Sequence, residues 1–286
     1  MPTGQKVSND EIRAYYAETG FDYRALWLND RNRALHFGYQ TDASTTHSES
    51  LANSNRILAD LAGIRRGDRV LDAGCGLGGT SLWLASERSA RTVGIALGAD
   101  QVRSADAEAR RRSLSASARF LVADFTALPF PKNSFDVVWA QESLCHGNDK
   151  GKFFHEAARV LAPNGRVVVA DFMLKRPKVS RTDRALLVEW YDGWRMPGLW
   201  TAAQHAGAAS AAGLMDVSIR DVTANTRASH RRLYERARRT LPIAKLLSAT
   251  GLRNFVQDGN VIAALRQYQT LRNDCWFYGL LLARKR

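Results

Sequence analysis

The 286-residue sequence predicts an α/β fold, a doubly wound and largely parallel sheet with a helical cap, on three observations. From Gly67 to Asp171, short apolar runs alternate with helical stretches, the pattern of parallel strands covered by helices on both faces. The first run, "RVLDAG", passes directly into glycines at Gly74, Gly76 and Gly79, the G-x-G-x-x-G spacing of a tight strand-to-helix turn. Helical stretches that do not belong to this alternation lie on either side of it and supply the cap.

Taken in order, residues 8–62 read as three helices, "NDEIRAYYAETG", "YRALWLNDRNRALHFGY" and "THSESLANSNRILADLAGI", with Asn9 and Thr46 as N-caps. "RVLDAG" then leads to a helix over 79–87 and "RTVGIA" to one over 99–112. "ARFLVAD" precedes a loop holding Pro129 and Pro131. "FDVVWA" leads to a helix over 149–161, and "GRVVVADF" follows Pro163-Asn164-Gly165. Beyond Asp171 come a basic helical stretch to Trp200, a helix over 201–212, the strand "MDVSIRDV", two helices filling about 226–272, and a last strand "CWFYGLLLARK". The expected organisation is an N-terminal helical cap (1–62), a cofactor-binding core (63–173), and a segment (174–286) that completes the sheet and inserts more of the cap.

Composition narrows the classes. Hydrophobic content of 45% and charged content of 24% are those of a globular protein. The start "MPTGQKVSND" carries no apolar targeting segment, and no apolar run approaches the roughly 20 residues of a membrane span. Cys75, Cys145 and Cys275 are odd in number and widely spaced, which suits a reducing cytoplasm and argues against a disulfide framework or a metal site. The net charge is +13, carried by 33 Arg against 8 Lys, and it is densest in "TRASHRRLYERARR" (Arg227, Arg231, Arg232, Arg236, Arg238, Arg239). That cluster reads either as a solvated helix face or as a surface for an anionic partner such as nucleic acid, a diphosphate or acidic lipid.

Asp72 stands two residues ahead of the first glycine, at the carboxyl end of its strand. A carboxylate there repels paired phosphates but suits an ammonium, so the turn favours S-adenosylmethionine over a dinucleotide. With "LDAGCGLGG", "VADFTALPFPKNSFDVVWAQESLCH" and "EAARVLAPNGRVVVADF", the chain resembles the class I S-adenosylmethionine-dependent methyltransferases. "LHFGYQ" and "ESLCHGNDK" are similar to the tocopherol methyltransferase-like subgroup, which includes natural-product enzymes. The resemblance implies a Rossmann-like sheet of seven strands with the last antiparallel. It also implies cofactor contacts from Asp72, Gly74, Gly76, Gln141 and the lid residues Tyr16 and Tyr39. Asp124 would meet the adenine amine and Phe125 its ring. The second strand of the family normally ends in an acid that takes the ribose hydroxyls. Ala96 stands there instead; the resemblance puts Gln101 in the place of a glutamine that reaches the sugar, with Asp100 beside it as a second choice.

His146 is the candidate base, and Glu142 the candidate for orienting the acceptor or stabilising a developing cation. The two are four residues apart just after the fourth strand, and both face the cleft if a helical turn follows. Among the many cap aromatics, Trp190, Trp194 and Trp200 are the candidates for lining an acceptor pocket. The expected activity is methyl transfer to a small, largely apolar metabolite. A prenyl diphosphate held by the cap arginines is one alternative within that class. A nucleic-acid methyltransferase is disfavoured because "WAQES" stands where base-flipping enzymes carry "[DN]PP[YF]". A non-catalytic cofactor-binding regulator has Ala96 as its main support.

Overall fold

The computed structural model describes residues 6–27 and 33–286. One sheet contains β1 (Arg69–Ala73), β2 (Arg91–Ala96), β3 (Ala118–Val122), β4 (Phe135–Gln141), β5 (Leu161–Leu174), β6 (Met215–Asp221) and β7 (Trp276–Arg284). Its spatial order is β3-β2-β1-β4-β5-β7-β6. β7 runs antiparallel to β5 and β6, and the remaining pairings are parallel. The winding direction reverses between β1 and β4, so a crevice opens beyond the carboxyl ends of those two strands.

The strands show in their packing the alternation that their hydrophobicity hides. On β5, Val168, Ala170, Phe172 and Leu174 pack toward α2 (His47–Leu61) and the cap. Val167, Val169 and Met173 pack on the other face, toward α5 (Lys150–Val160) and α7 (Ala202–Ala211). Each of these side chains larger than Ala contributes roughly 1.5–3 kcal/mol by leaving water. Two further helices, α3 (Gly79–Glu87) and α4 (Ala99–Arg111), cover β2 and β3 through Leu82, Ala85, Val102 and Ala105. The cap is a helical layer of α1 (Asn9–Leu26), α6 (Arg181–Gly193), α8 (Thr223–Ala249) and α9 (Phe255–Arg272), in which α9 touches the other three.

Two local expectations need correction. The N-cap of α1 is Ser8, not Asn9, because Glu11 three residues later closes a capping box on Ser8. Thr46 caps α2 through the same device with Glu49. The expected second helix does not form as drawn. Its first residues, from Tyr23, belong to α1, which runs through Gly20 without a break. Residues 28–32 lie outside the described residues, and 33–40 are irregular. The reason is that backbone donors in this stretch bond to distant partners: Phe37 to Glu142, Gly38 to Ser229, Tyr39 to Ser50 and Gln40 to Asn225. A helix would need those same groups for itself.

Helices α6 and α9 approach at Gly193, where a Cβ would sit 2.3 Å from the Gly259 carbonyl oxygen and 2.7 Å from Ala263 Cβ. Gly207, inside α7, has nothing within 4 Å of the same position. Urea unfolding should therefore show Gly193→Ala destabilised by about 1–3 kcal/mol. Gly207→Ala should be stabilised by up to about 1 kcal/mol.

Candidate active site

The crevice is lined from below by the turn after β1. Gly74 has φ +100°, and a Cβ on it would lie 2.2 Å from Ser143 Cβ, so no side chain fits. Ser143 Oγ donates to the Ala73 carbonyl at 2.6 Å, which fixes the ends of β1 and β4 against each other. Asp72 is buried and accepts from Ser81 Oγ of α3 at 2.6 Å. Burial pushes its carboxyl up to about 6 against that hydrogen bond, a shift that a cationic group beside it would reverse. Gln141 accepts from Trp139 Nε1 at 3.2 Å, while its own amide nitrogen is buried with no partner among the described residues.

Glu142 sits at φ +51°, unusual for a residue with a side chain, and its N–H donates to the Ala170 carbonyl. This backbone turns β4 into a short 3-10 turn, Leu144–His146. The Glu142 carboxyl accepts from the Phe37 N–H at 2.6 Å and from the Tyr278 hydroxyl at 2.7 Å. Desolvation still dominates and pushes it up to about 8, so it is mostly neutral at pH 7. Asp171 anchors the 3-10 turn by accepting from the Cys145 N–H at 2.8 Å. The Cys145 thiol is buried and raised, consistent with packing rather than nucleophilic chemistry.

His146 completes this wall. Its Nδ1 lies 3.2 Å from the Arg195 carbonyl, and its Nε2 lies 3.0 Å from the Tyr16 hydroxyl. A carbonyl only accepts, so Nδ1 carries the proton and Nε2 accepts from Tyr16. Desolvation holds the imidazole down at about 4 and the Tyr16 phenol well above its usual value. The pair is therefore a neutral base with a neutral hydroxyl bonded to it.

Asp72, Gly74, Gly76, Gln101, Phe125, Gln141, Glu142, His146, Tyr16 and Trp194 all line the crevice. Four expected residues do not. Asp124 accepts at one oxygen from Thr126 and at the other from Asn9, each at 2.7 Å, which ties it to α1, while its neighbours Ala123 and Phe125 line the crevice. Tyr39 packs into the core beneath the cap. Trp190 is fully buried against Phe172, Tyr191, Trp194 and Trp276. Trp200 packs tilted against the His205 ring and under the Lys150 ammonium. Tyr15, Tyr23, Trp27, Phe37 and Asn260 belong to the lining, with Tyr278 and Asp171 supporting it from behind. The seven-residue step from Tyr16 to Tyr23, which puts both on one helix face, was a readable signal for Tyr23. Nothing local marks Tyr278 or Asn260.

Residues 71–169 match the model of the methyltransferase domain family. The chain is 35% identical over 203 residues to 27-O-demethylrifamycin SV methyltransferase of Amycolatopsis mediterranei, covering 71% of this chain and 74% of that protein. It is 34% identical over 175 residues to the chloroplastic tocopherol O-methyltransferase of Arabidopsis thaliana, covering 57% of this chain and half of the plant protein. Among solved structures it is similar to the [4+2]-cyclase SpnF, with a TM-score of 0.82 and 25% identity over 99% of this chain and 98% of that one. The sheet order, the glycine turn and these similarities together make the chain a member of the S-adenosylmethionine-dependent methyltransferase family. Its cofactor is S-adenosylmethionine.

The residues present fit that cofactor. Gly74 and Gly76 bring bare backbone to the crevice, Asp72 offers a carboxyl for an ammonium, and the unpartnered Gln141 amide offers a donor for a carboxylate. Asn at position 72 keeps an acceptor for Ser81 but loses the charge. Calorimetry should therefore show Asp72→Asn binding S-adenosylmethionine about tenfold or more weakly while the fold is retained.

The Glu142 carboxyl is raised in the folded protein, so the stability it confers is present below its unfolded value near 4.5 and is lost as pH rises through about 8. Gln at this position still accepts from Phe37 and Tyr278 but does not titrate. Relative to wild type, Glu142→Gln should gain unfolding free energy steadily between pH 5 and pH 8 in urea titrations. An unchanged difference across that range would show that the carboxyl is not desolvated.

Proposed function

We propose that the chain methylates a hydroxyl oxygen on a small, largely apolar acceptor of natural-product type, bound between the cap and the sheet. The observation that carries this reading is the neutral Tyr16–His146 pair in the crevice wall. S-adenosylmethionine supplies an electrophilic methyl group bonded to a sulfonium. The chain's own task is to align the acceptor and to remove its proton. The acceptor hydroxyl proton passes to Tyr16 as the Tyr16 proton passes to His146 Nε2, and the Arg195 carbonyl steadies the imidazolium through Nδ1–H. Glu142, mostly neutral at pH 7, leaves the nascent oxyanion without a facing negative charge. Asp72, Gln141 and Gln101 would hold the cofactor, and Phe125 would face its base.

The acceptor class is supported by the wall itself, where Tyr15, Tyr23, Phe37, Phe172 and Val261 present apolar surface. Two buried indole N–H groups in that wall, on Trp27 and Trp194, have no partner among the described residues and are suited to an acceptor oxygen. Oxygen as the target is consistent with the relatives whose names specify O-methylation. A prenyl diphosphate is disfavoured: Arg227, Arg231, Arg232, Arg238 and Arg239 are exposed, and none of them, nor Arg236, lines the crevice. We place the protein in the cytoplasm on the strength of its three separate, buried free thiols.

The test is incubation with methyl-labelled S-adenosylmethionine and a panel of hydroxylated, amine and prenyl-diphosphate acceptors, read by mass spectrometry. Label should appear on a hydroxylated apolar compound. With that compound, Tyr16→Phe and His146→Ala should each lower kcat by about 10²–10⁴-fold and leave cofactor affinity within about threefold. Full kcat in either variant would overturn the proton-transfer role.

A further inference from the structure

We propose that the turn joining α8 to α9 docks the protein on an anionic lipid–water interface. The large apolar side chains exposed among the described residues are Phe21, Val122, Met215, Ile243, Leu246, Leu252 and Phe255. Five of these seven gather at one end of the cap. Ile243 and Leu246 are in the last turns of α8, Leu252 and Phe255 flank the connection, and Phe21 is on α1. Arg253 pairs with Asp22 at 2.9 Å and Asn254 donates to Glu18 at 2.6 Å, which ties the Phe21 region of α1 to that connection. Exposure runs from 62% at Ile243 to 80% at Phe255, and such a gathering on a folded chain marks a contact surface.

Charge selects the partner. With 3.6 residues per turn, the exposed residues Arg227, Arg231, Arg232, Arg238, Arg239, Lys245, Pro242, Ile243 and Leu246 share roughly half of the α8 circumference. The opposite face, with Thr226, His230, Ala237 and Ala244, is buried. Along the exposed face the arginines come first and the apolar residues last. A basic collar beside an apolar tip matches a surface with anionic headgroups over hydrocarbon. Two copies meeting tip to tip would bring two arginine clusters together on chains that already carry +13 each. The tip also stands clear, since nothing lies within 4 Å of a Cβ built on Gly251. That suits insertion better than a fitted groove.

The tip adjoins the crevice. Asp22, the partner of Arg253, lines it, and so does Asn260, which donates to Asp22 at 3.2 Å. Leu233 and Ala237 of α8 are also in the wall. Docking therefore sets the crevice wall beside the layer in which apolar molecules dissolve. This last consequence rests on the apolar acceptor proposed above, whereas docking itself does not.

The test is flotation of the full chain with vesicles of phosphatidylcholine alone or with about one-third phosphatidylglycerol, at low and at physiological salt. The protein should float with the anionic vesicles and not with the neutral ones. Leu252→Ser with Phe255→Ser should lower its partition at least tenfold, without changing Tm or cofactor affinity. Arg238→Gln with Arg239→Gln should lower it severalfold and weaken its salt dependence. No flotation with either vesicle would overturn the proposal, as would binding indifferent to the serine pair. So would a dimer in light scattering that Phe255→Ser dissolves, or capture of an acidic carrier protein by a chain that ignores vesicles.

Discussion

The partly buried carboxyl of Glu142 is the junction on which the site depends. Through two hydrogen bonds it joins the irregular stretch 33–40, at Phe37, to the start of β7, at Tyr278. Its own backbone bends β4 away from the sheet. Three segments far apart in sequence are held at the mouth of the β1–β4 crevice by one side chain. Placing a carboxyl there has an electrostatic cost, visible in its raised titration, which the two donors offset only in part. The reward is geometric: the same bend carries His146 to Tyr16.

The electrostatics of the crevice divide by depth in a way that matches the two ligands it has to hold. Next to the glycine turn, Asp72 and the free Gln141 amide offer one acceptor and one donor to a zwitterionic tail. Toward the cap, titratable groups are driven neutral: His146 low, Glu142 and Tyr16 high. A zone of neutral groups keeps a cationic methyl donor from being paired with a fixed counter-charge at the reacting end.

What could be read from the sequence was what short segments encode by themselves. The parallel strands, the glycine turn and Asp72 occupy a contiguous stretch, and Gly74 declares its conformation by having no side chain. Side-chain direction was harder to read. Trp190, Trp200 and Tyr39 are aromatic residues of the right region, yet each is turned into packing, because an indole fills a gap between helices as well as it lines a pocket. Asp124 follows the third strand as expected, but its oxygens accept from Thr126 and from Asn9 of α1, a long-range partner that no local pattern announces. The irregular stretch 33–40 escaped for a related reason. Its composition is helical, and only long-range partners such as Glu142, Ser229 and Asn225 pull its backbone open.

The position of β7 between β5 and β6 has a consequence in time. Tyr278 reaches Glu142 across 136 residues of chain, so the carboxyl has no hydroxyl partner until that stretch has been synthesised. At roughly 5–20 residues per second, a ribosome needs about 7–27 s to cover it. Until then the nascent sheet ends at β5 with an open edge, and a half-built crevice already contains Asp72 and the glycine turn. Catalytic competence therefore waits on the synthesis of β7, however early the parallel strands pair.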